Sequence, residues 1–198
     1  MGNKRPERMF KCILFFLIIL ATCAAGCAGT RYSVLKEGEV KGDLKQYKVI
    51  NVGWLDLNEE RWKEFGFDSK EQWVTTINIA NQKYMPDYFK EILLGKKVTV
   101  VSSKNDEPDK DGLVIKFSEV QYVVRTSSAA TFWWGKMARS DIVDVTIHFI
   151  DGKTAKELYQ IRASIYSAAK SPYSSMKFEG RVSNSVYNLV LFINEKLK

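Results

Sequence analysis

Sulfur and imidazole are scarce in this chain. Of its 198 residues three are cysteines, all within the first 27 (Cys12, Cys23 and Cys27), and one is a histidine, His148. Past Cys27 there is no thiol, which excludes a disulfide, a cysteine zinc site and a redox pair in the remaining chain. A lone histidine builds no zinc site unaided. The sequence also lacks a Gly-x-Ser-x-Gly nucleophile elbow, a glycine-rich phosphate loop, internal repeats and low-complexity stretches. The commonest hydrolase and nucleotide-binding signatures are therefore missing, and the fold has to stand on packing alone.

What is present begins at the amino terminus. Lys4, Arg5, Arg8 and Lys11 form a basic leader, an apolar run follows from Cys12 to Ala21, and Ala24-Ala25-Gly26 precede Cys27. A charged start, a short apolar middle and a small-residue exit make a secretory signal peptide. With a cysteine directly after the small residues, the segment resembles a bacterial lipoprotein signal, whose cysteine is acylated before cleavage. Ala25 and Gly26 match that pattern, while Ala24 stands where leucine is commoner. The alternative Leu20-Ala21-Thr22-Cys23 has the leucine but sets Thr22 beside the cysteine. A third reading is an uncleaved membrane helix, but the uncharged stretch from Cys12 to Ala28 is 17 residues, short of the about 20 that span a bilayer. Cys27 is the expected lipidation site. The resemblance implies a permanent anchor, since two or more acyl chains hold where one binds only marginally. Ala28 is not the aspartate that retains such proteins at the inner membrane, so the resemblance implies outer-membrane sorting, with the chain facing the periplasm.

Without residues 1–26 the chain has 172 residues, and losing four basic residues and Glu7 takes its net charge from +7 to +4. That length suits one domain with a core of its own. The modest positive charge favours anionic lipid or glycan contact over nucleic acid, which an exported protein does not normally meet. Residues 28–46, with Gly29, Gly38 and Gly42 among mixed charges, read as a flexible tether after the lipidated Cys27, with a typical span of about 24 Å. The competing reading is that Tyr32-Ser33-Val34-Leu35 packs as an edge strand. The globular domain is expected over residues 47–198.

Within that domain Tyr47–Leu55 is a nearly continuous apolar strand, and Asn58 to Glu64 has the makings of a helical turn. A helix is expected to start at Asp68, with Glu71 returning the capping bond, and Trp73, Ile77, Ala80 and Tyr84 form its buried stripe. Pro86 should interrupt it, a short helix 87–94 should stop at Gly95, and Lys97–Val101 is the next strand. Strand, helix, strand implies a parallel crossover. Leu113, Ile115 and Phe117 alternate in one phase and Val120, Tyr122 and Val124 in the other, which predicts a β-bulge near Ser118-Glu119. Ile142–Ile150 and Leu158–Tyr166, joined by a turn at Asp151-Gly152, complete an antiparallel meander. Val182, Val186, Leu189, Val190, Ile193 and Leu197 mark a final amphipathic helix. The expected class is α+β: a mixed sheet of about five strands with helices packed on it.

Three places invite a functional reading. The loop Lys104–Gly112 carries Asp106, Glu107, Asp109 and Asp111, but Pro108 lies inside it and the closing position of a calcium loop falls on Ser118, so a solvated turn is favoured. His148 shares a strand face with Asp144 and Thr146, a row that suggests part of a hydrolase, yet a surface histidine on a polar face is the better reading. Between two meander strands, Phe132-Trp133-Trp134 is followed by Lys136 and Arg139. Adjacent side chains on a strand diverge, so three neighbouring rings do not all enter one core. Aromatics beside basic residues suit a membrane interface or a protein hot spot. The alternative is that the segment folds over the end of the sheet and buries two of its rings.

The element order and the Asp151-Gly152-Lys153-Thr154 turn resemble bacterial envelope lipoproteins whose domain is like the amino-terminal domain of TolB or the curli-secretion lipoprotein. The resemblance implies a role in envelope assembly or complex formation and carries no catalytic residues. The expected protein is a non-enzymatic, lipid-anchored component of the cell envelope that binds another envelope protein. Phe132, Trp133, Trp134, Lys136 and Arg139 are its contact residues, with no cofactor, no metal and no nucleic acid. The alternative is a small-ligand or glycan-binding lipoprotein, with Trp54, Trp62 and Trp73 available to line a cleft.

Overall fold

In the computed structural model, residues 31–57, 62–63, 68–127, 138–167 and 178–198 are described. Six strands form one mixed sheet: β1 (Tyr32–Glu37), β2 (Val49–Val52), β3 (Lys97–Val100), β4 (Leu113–Ser127), β5 (Ala138–Asp151) and β6 (Glu157–Tyr166), in the order β1-β6-β5-β4-β2-β3. β2 lies parallel to both β3 and β4, and β4, β5, β6 and β1 run antiparallel to one another. The α+β class, the parallel crossover and the meander are as expected, and the sixth strand is β1. Of the two readings of residues 32–46, the structure has the competing one, the edge strand expected at Tyr32–Leu35, with a 3-10 turn at Leu44–Gln46 rather than a tether. The reason lies in the register: Tyr32 lands opposite Ile165, where its ring packs on Phe192 at 4.8 Å and its hydroxyl donates to Glu195. Arg31–Lys198 forms one compact unit.

The helices follow the apolar spacing. α1 (Lys70–Ile79) is capped by Ser69, whose hydroxyl accepts from the Gln72 amide at 3.3 Å, one residue later than the expected Asp68. Trp73, Ile77 and Ala80 are buried as the stripe requires. Pro86 does not interrupt the helix. The chain passes through a π-helical turn, Ala80–Tyr84, into α2 (Met85–Ile92), with Pro86 in its first turn. A wider turn there accommodates the missing proline amide without breaking the rod. Gly95 follows at φ 82°, a left-handed position suited to glycine after a helix end. The last helix, α3 (Phe178–Lys196), packs on β5, β6, β1 and α2.

One face of the sheet is sealed by these helices. Ile50, Val52, Leu113, Ile115, Tyr122, Val145, Ile147, Phe149, Ile161, Ala163 and Ile165 join Trp73, Phe89, Val186, Val190 and Ile193 in one core. Trp73 meets Tyr122 edge-on at 5.7 Å. Trp54 and Trp62 pack against the same core, half-buried, and Trp73 is fully inside it, so these three indoles act as packing. Asn81, also fully buried in the π turn, ties the chain leaving β2 to the helix. Its Oδ1 accepts from the Leu55 amide at 2.8 Å, and its Nδ2 donates to the carbonyls of Leu55 (3.0 Å) and Ile77 (3.1 Å). Gly112 is required at the start of β4: it sits at φ 97°, and a Cβ there would lie 2.4 Å from the Val49 carbonyl oxygen.

Candidate functional site

The opposite face has a different chemistry. Between β3 and β4 the loop 101–112 lies against β2 there: Asn51 Nδ2 donates to the Asp111 carbonyl at 2.6 Å, and a Cβ on Gly53 would stand 3.6 Å from Pro108. A cavity of about 360 Å³ is bounded by Asn51, Thr99, Val101, Ser102, Asp106 and Glu107 among others. The loop carboxylates are engaged in the turn itself. Asp106 accepts from Ser102 Oγ (2.7 Å) and the Ser103 amide (2.9 Å), Asp109 accepts from the Asp111 amide (3.1 Å), and Glu107 pairs with Lys116 (2.7 Å). Hydrogen bonds from Ser102 and Ser103 hold the Asp106 carboxyl below its ordinary value, and Lys116 does the same for Glu107. Among the described residues no group of three or more His, Cys, Asp or Glu is placed to hold a metal.

Farther along the face, alternation on β4, β5 and β6 sets polar side chains side by side with no described helix above them. The bulge predicted at Ser118-Glu119 is there: the register slips between Ser118 and Gln121, and Glu119 takes φ 51°. This extra residue turns the Glu119 carboxylate across the strands. Its Oε2 accepts from Thr146 Oγ1 at 2.9 Å and pairs with Arg162 Nη1 at 3.2 Å. Ser164 Oγ donates to Asp144 at 2.5 Å.

His148 lies on the polar strand face, as expected, but half-buried there. Its side chain is 21% exposed, and both ring nitrogens are bonded, Nε2 to Ser118 Oγ and Nδ1 to Glu157 Oε2, each at 2.7 Å. The partners come from the strands on either side, so the imidazole braces β4 to β6 across β5. The order Ser118, His148, Glu157 is that of an acyl-transfer triad. However, the small cavity on this face is lined by Lys36, Gly38, Glu119, Thr146, Gln160 and Arg162, not by Ser118 or His148.

The largest titration shifts lie elsewhere and have structural causes. Tyr47 donates to Asp151, which pushes the phenol up to about 12 and, with bonds from Thr154, holds the carboxyl at about 2. This pair ties the start of β2 to the Asp-Gly-Lys-Thr turn. Burial and a hydrogen bond to Glu37 raise Tyr159, and bonds from Tyr159 and Lys196 lower Glu37. That cluster fastens β1 to α3. Perturbed groups are functional candidates only when fold-holding contacts do not explain them, and here they do.

Of the contact residues expected from sequence, Phe132, Trp133, Trp134 and Lys136 lie outside the described residues, as does Cys27. Arg139 lies on β5, opposite Thr126. The strands that carry the aromatic segment are longer than expected. β5 pairs with β6 only from Ile142 onward, but its ladder with β4 continues through Val124↔Asp141, Arg125↔Ser140 and Thr126↔Arg139 to Ser127↔Ala138. Among the described residues these four pairs form a two-stranded ribbon past the end of β6.

Sequence reasoning did not single out Lys36, Glu119, Gln160 and Arg162 as neighbours. For three of them the signal was present. The phase switch in β4 marks Glu119, and alternation against Ile161 and Ala163 sets Gln160 and Arg162 beside Thr146. Lys36 carried no such signal, because its segment has the composition of a tether.

No family model matches the chain, and no curated protein sequence matches it. Among solved structures it is similar to a dodecameric PelC variant from Paraburkholderia phytofirmans (12% identity, 81% of this chain and 94% of that one, TM-score 0.36). It is also similar to a neuraminyllactose-binding hemagglutinin homolog from Helicobacter pylori (12% identity, 81% and 89% coverage, TM-score 0.34). A second PelC dodecamer gives 15% identity, 81% and 93% coverage and a TM-score of 0.33. Likenesses this slight say nothing about what the chain binds or does.

Proposed function

We propose that this chain is a lipid-anchored cell-envelope protein, held through acylated Cys27 at the outer membrane on its periplasmic side, and that it works by contacting another envelope protein rather than by catalysis. The observation that carries the contact reading is the β4–β5 ribbon. Four residue pairs at about 3.3 Å each extend the hairpin by about 13 Å beyond β6. The ten residues joining the two strands, 128–137, include Phe132, Trp133, Trp134 and Lys136. Among the described residues no third strand pairs with this ribbon. Trp and basic residues together are what hot spots favour.

The reading of His148 agrees with this. A histidine bonded on both sides by neighbouring strands is a brace in a sheet that has no disulfide to stiffen it. The test has two arms. A photo-crosslinking residue at Phe132 in native envelopes should trap a discrete protein partner, and the double change Trp133→Ala, Trp134→Ala should abolish that adduct while the chain stays anchored. An unchanged adduct pattern overturns the contact reading. Labelled palmitate should enter the wild type and fail to enter Cys27→Ser. Continued labelling with Cys23 and Cys27 both changed to serine overturns the anchor.

A further inference from the structure

The place where the chain enters the sheet decides which way the domain can face. The Arg31 carbonyl accepts from the Tyr166 amide at 2.9 Å, and Tyr32 is held by the Phe192 ring and Glu195, so the chain is tied into the sheet from Arg31 onward. Residues 28–30 alone separate Arg31 from Cys27, and four steps of at most about 3.6 Å reach about 14 Å. A tether running to residue 46 would let the domain turn freely over a membrane; one this short does not. The level of Arg31 is also where the sheet narrows. Tyr166 pairs with Ile142, the last rung between β5 and β6, and the β4–β5 ribbon goes on for about 13 Å beyond it. Each neighbour in the series β1, β6, β5, β4 is antiparallel to the next, so the chain before Tyr32 leaves the sheet at the end toward which β4 runs. α3 starts beyond the same level. Its Asn188 donates to the Tyr166 carbonyl at 2.7 Å and its Lys196 pairs with Glu37, at the other end of β1, at 3.0 Å. Residues 178–187 therefore carry the helix up to about 15 Å past Tyr166.

At this one end of the sheet the ribbon, the start of α3 and the chain leading back to Cys27 have matching reaches of about 13, 15 and 14 Å. Net charge does not distinguish the two ends: Lys45, Lys48, Lys96 and Lys97 gather at the other one, where Lys96 Nζ donates to the Lys45 carbonyl and the Lys97 amide to the Lys48 carbonyl. Reach does distinguish them. Asn51, level with Val114 and Ile150, is eight residues of β5 away from Ile142, about 26 Å. Composition agrees with reach. No Asp or Glu lies between Glu119 and Asp141, a stretch that holds Arg125, Lys136, Arg139 and the Phe132-Trp133-Trp134 run, and aromatic and basic residues without acids suit anionic headgroups. We infer that the domain stands end-on to the bilayer that holds its anchor, with the ribbon and the start of α3 in the headgroup layer and the Asp151-Gly152 turn farthest from it. This rests on acylation of Cys27 as proposed above. It also narrows the ribbon's partner: a soluble domain, about 30 Å across, does not fit beneath a ribbon held at headgroup level, so the protein met there is one embedded in the same membrane.

The experiment takes the protein from native envelopes into nanodiscs of phosphatidylethanolamine and phosphatidylglycerol, doped with a lipid that carries a gadolinium chelate on its headgroup. Amide NMR reads the broadening along the chain. The amides of Tyr32, Ser33 and the four ribbon pairs should relax at least tenfold faster than those of Gly112, Gly152 and Thr154. Equal broadening at the two ends, or stronger broadening at Gly152 and Thr154, overturns the orientation. Mass spectrometry of the same sample separates the two failures. A chain without acyl groups overturns the anchor and this inference with it, whereas an acylated chain with no such asymmetry overturns the orientation alone. In native envelopes, the partner crosslinked through position 132 should be a protein that alkaline carbonate leaves in the membrane. A partner that carbonate extracts overturns the narrowing, and an absent adduct counts against the contact reading instead.

Discussion

The sheet's two faces are made by the same strands and are held together by different means. Toward the helices, β5 and β6 present Val145, Ile147, Phe149, Ile161, Ala163 and Ile165, every one fully buried. On the reverse, the residues between them present Asp144, Thr146, His148, Arg162 and Ser164, joined by hydrogen bonds that reach from strand to strand. The first face is stabilised by area removed from water, about 25 cal/mol per Å². The second exchanges water for protein partners and nets about 1 kcal/mol per bond. A strand therefore has most of its stability on one side and has chemical freedom on the other. That is why the bulge, the strained Glu119 and the cavity all occur on the side away from the helices.

The hardest way to break this contrast is at two consecutive residues of β5. Phe149 is fully buried and packs on Tyr159 with ring centroids 5.5 Å apart. Phe149→Ala should cost about 3–5 kcal/mol in a urea titration, through lost transfer energy and the cavity left behind. His148→Ala, one residue away on the other face, should cost about 1 kcal/mol, because water replaces what Ser118 and Glu157 lose. Equal losses at the two positions would mean that the polar face is as structural as the core. A fluorophosphonate probe should also leave Ser118 unlabelled, and stoichiometric labelling there would convert the brace into a nucleophile.

A second test sits on the core side and concerns a polar group. Asn81 alone satisfies the amide of Leu55 in a dry environment, and it shares the Leu55 carbonyl with the Leu57 amide at 3.1 Å. Asn81→Ala leaves the amide unpaired, so a loss of about 1–3 kcal/mol is expected, again by urea titration. A loss under about 1 kcal/mol would show that the segment after β2 re-forms its bonds elsewhere. This residue also marks what sequence hides. The stripe Trp73, Ile77, Ala80 is visible in the spacing, and Asn81, four residues after Ile77, falls beside it, but spacing does not show which backbone groups its amide bonds. Pro86 misled because its rule concerns α-helical bonding, and the turn before it is wider.

Elsewhere the sequence was more legible. The phase reversal from Phe117 to Tyr122 located the bulge, because a one-residue insertion has no other way to restore a buried face. Gly95 located the end of α2, since its left-handed backbone suits few other residues. β1 was harder to see. Its Val34 and Leu35 are 43% and 53% exposed, so an outer strand of this kind leaves little apolar pattern to distinguish it from a tether. Lys36 also sits next to the irregularity between Val34 and Lys36, and charge and bulges are common on edges that must not pair further. The small cavity beside Lys36 depends on that edge, so the features that obscured β1 obscured the cavity as well.

The smallest expected effect is a pH dependence, and it separates the ties that hold the frame from the groups that face solvent. Asp151 falls to about 2 in the folded chain because Tyr47 and Thr154 hydrogen-bond its ionised form. A carboxyl with a lowered folded value adds stability above its unfolded value near 4, and that contribution is lost as pH falls through about 2. Tyr47 moves the other way, up to about 12, so its contribution is complete below about 10 and is lost as pH rises through about 12. Tyr47→Phe removes the shared bond. The wild type's urea midpoint should therefore drop further than the variant's between pH 4 and pH 2, and again between pH 10 and pH 12, while the two run parallel from pH 5 to pH 9. The differences should be small because the carboxylate is only half-buried and solvent screens it in part. Parallel curves at both extremes would mean that the β2 start is held by Lys96 alone, whose ammonium donates to the Tyr47 carbonyl at 2.8 Å.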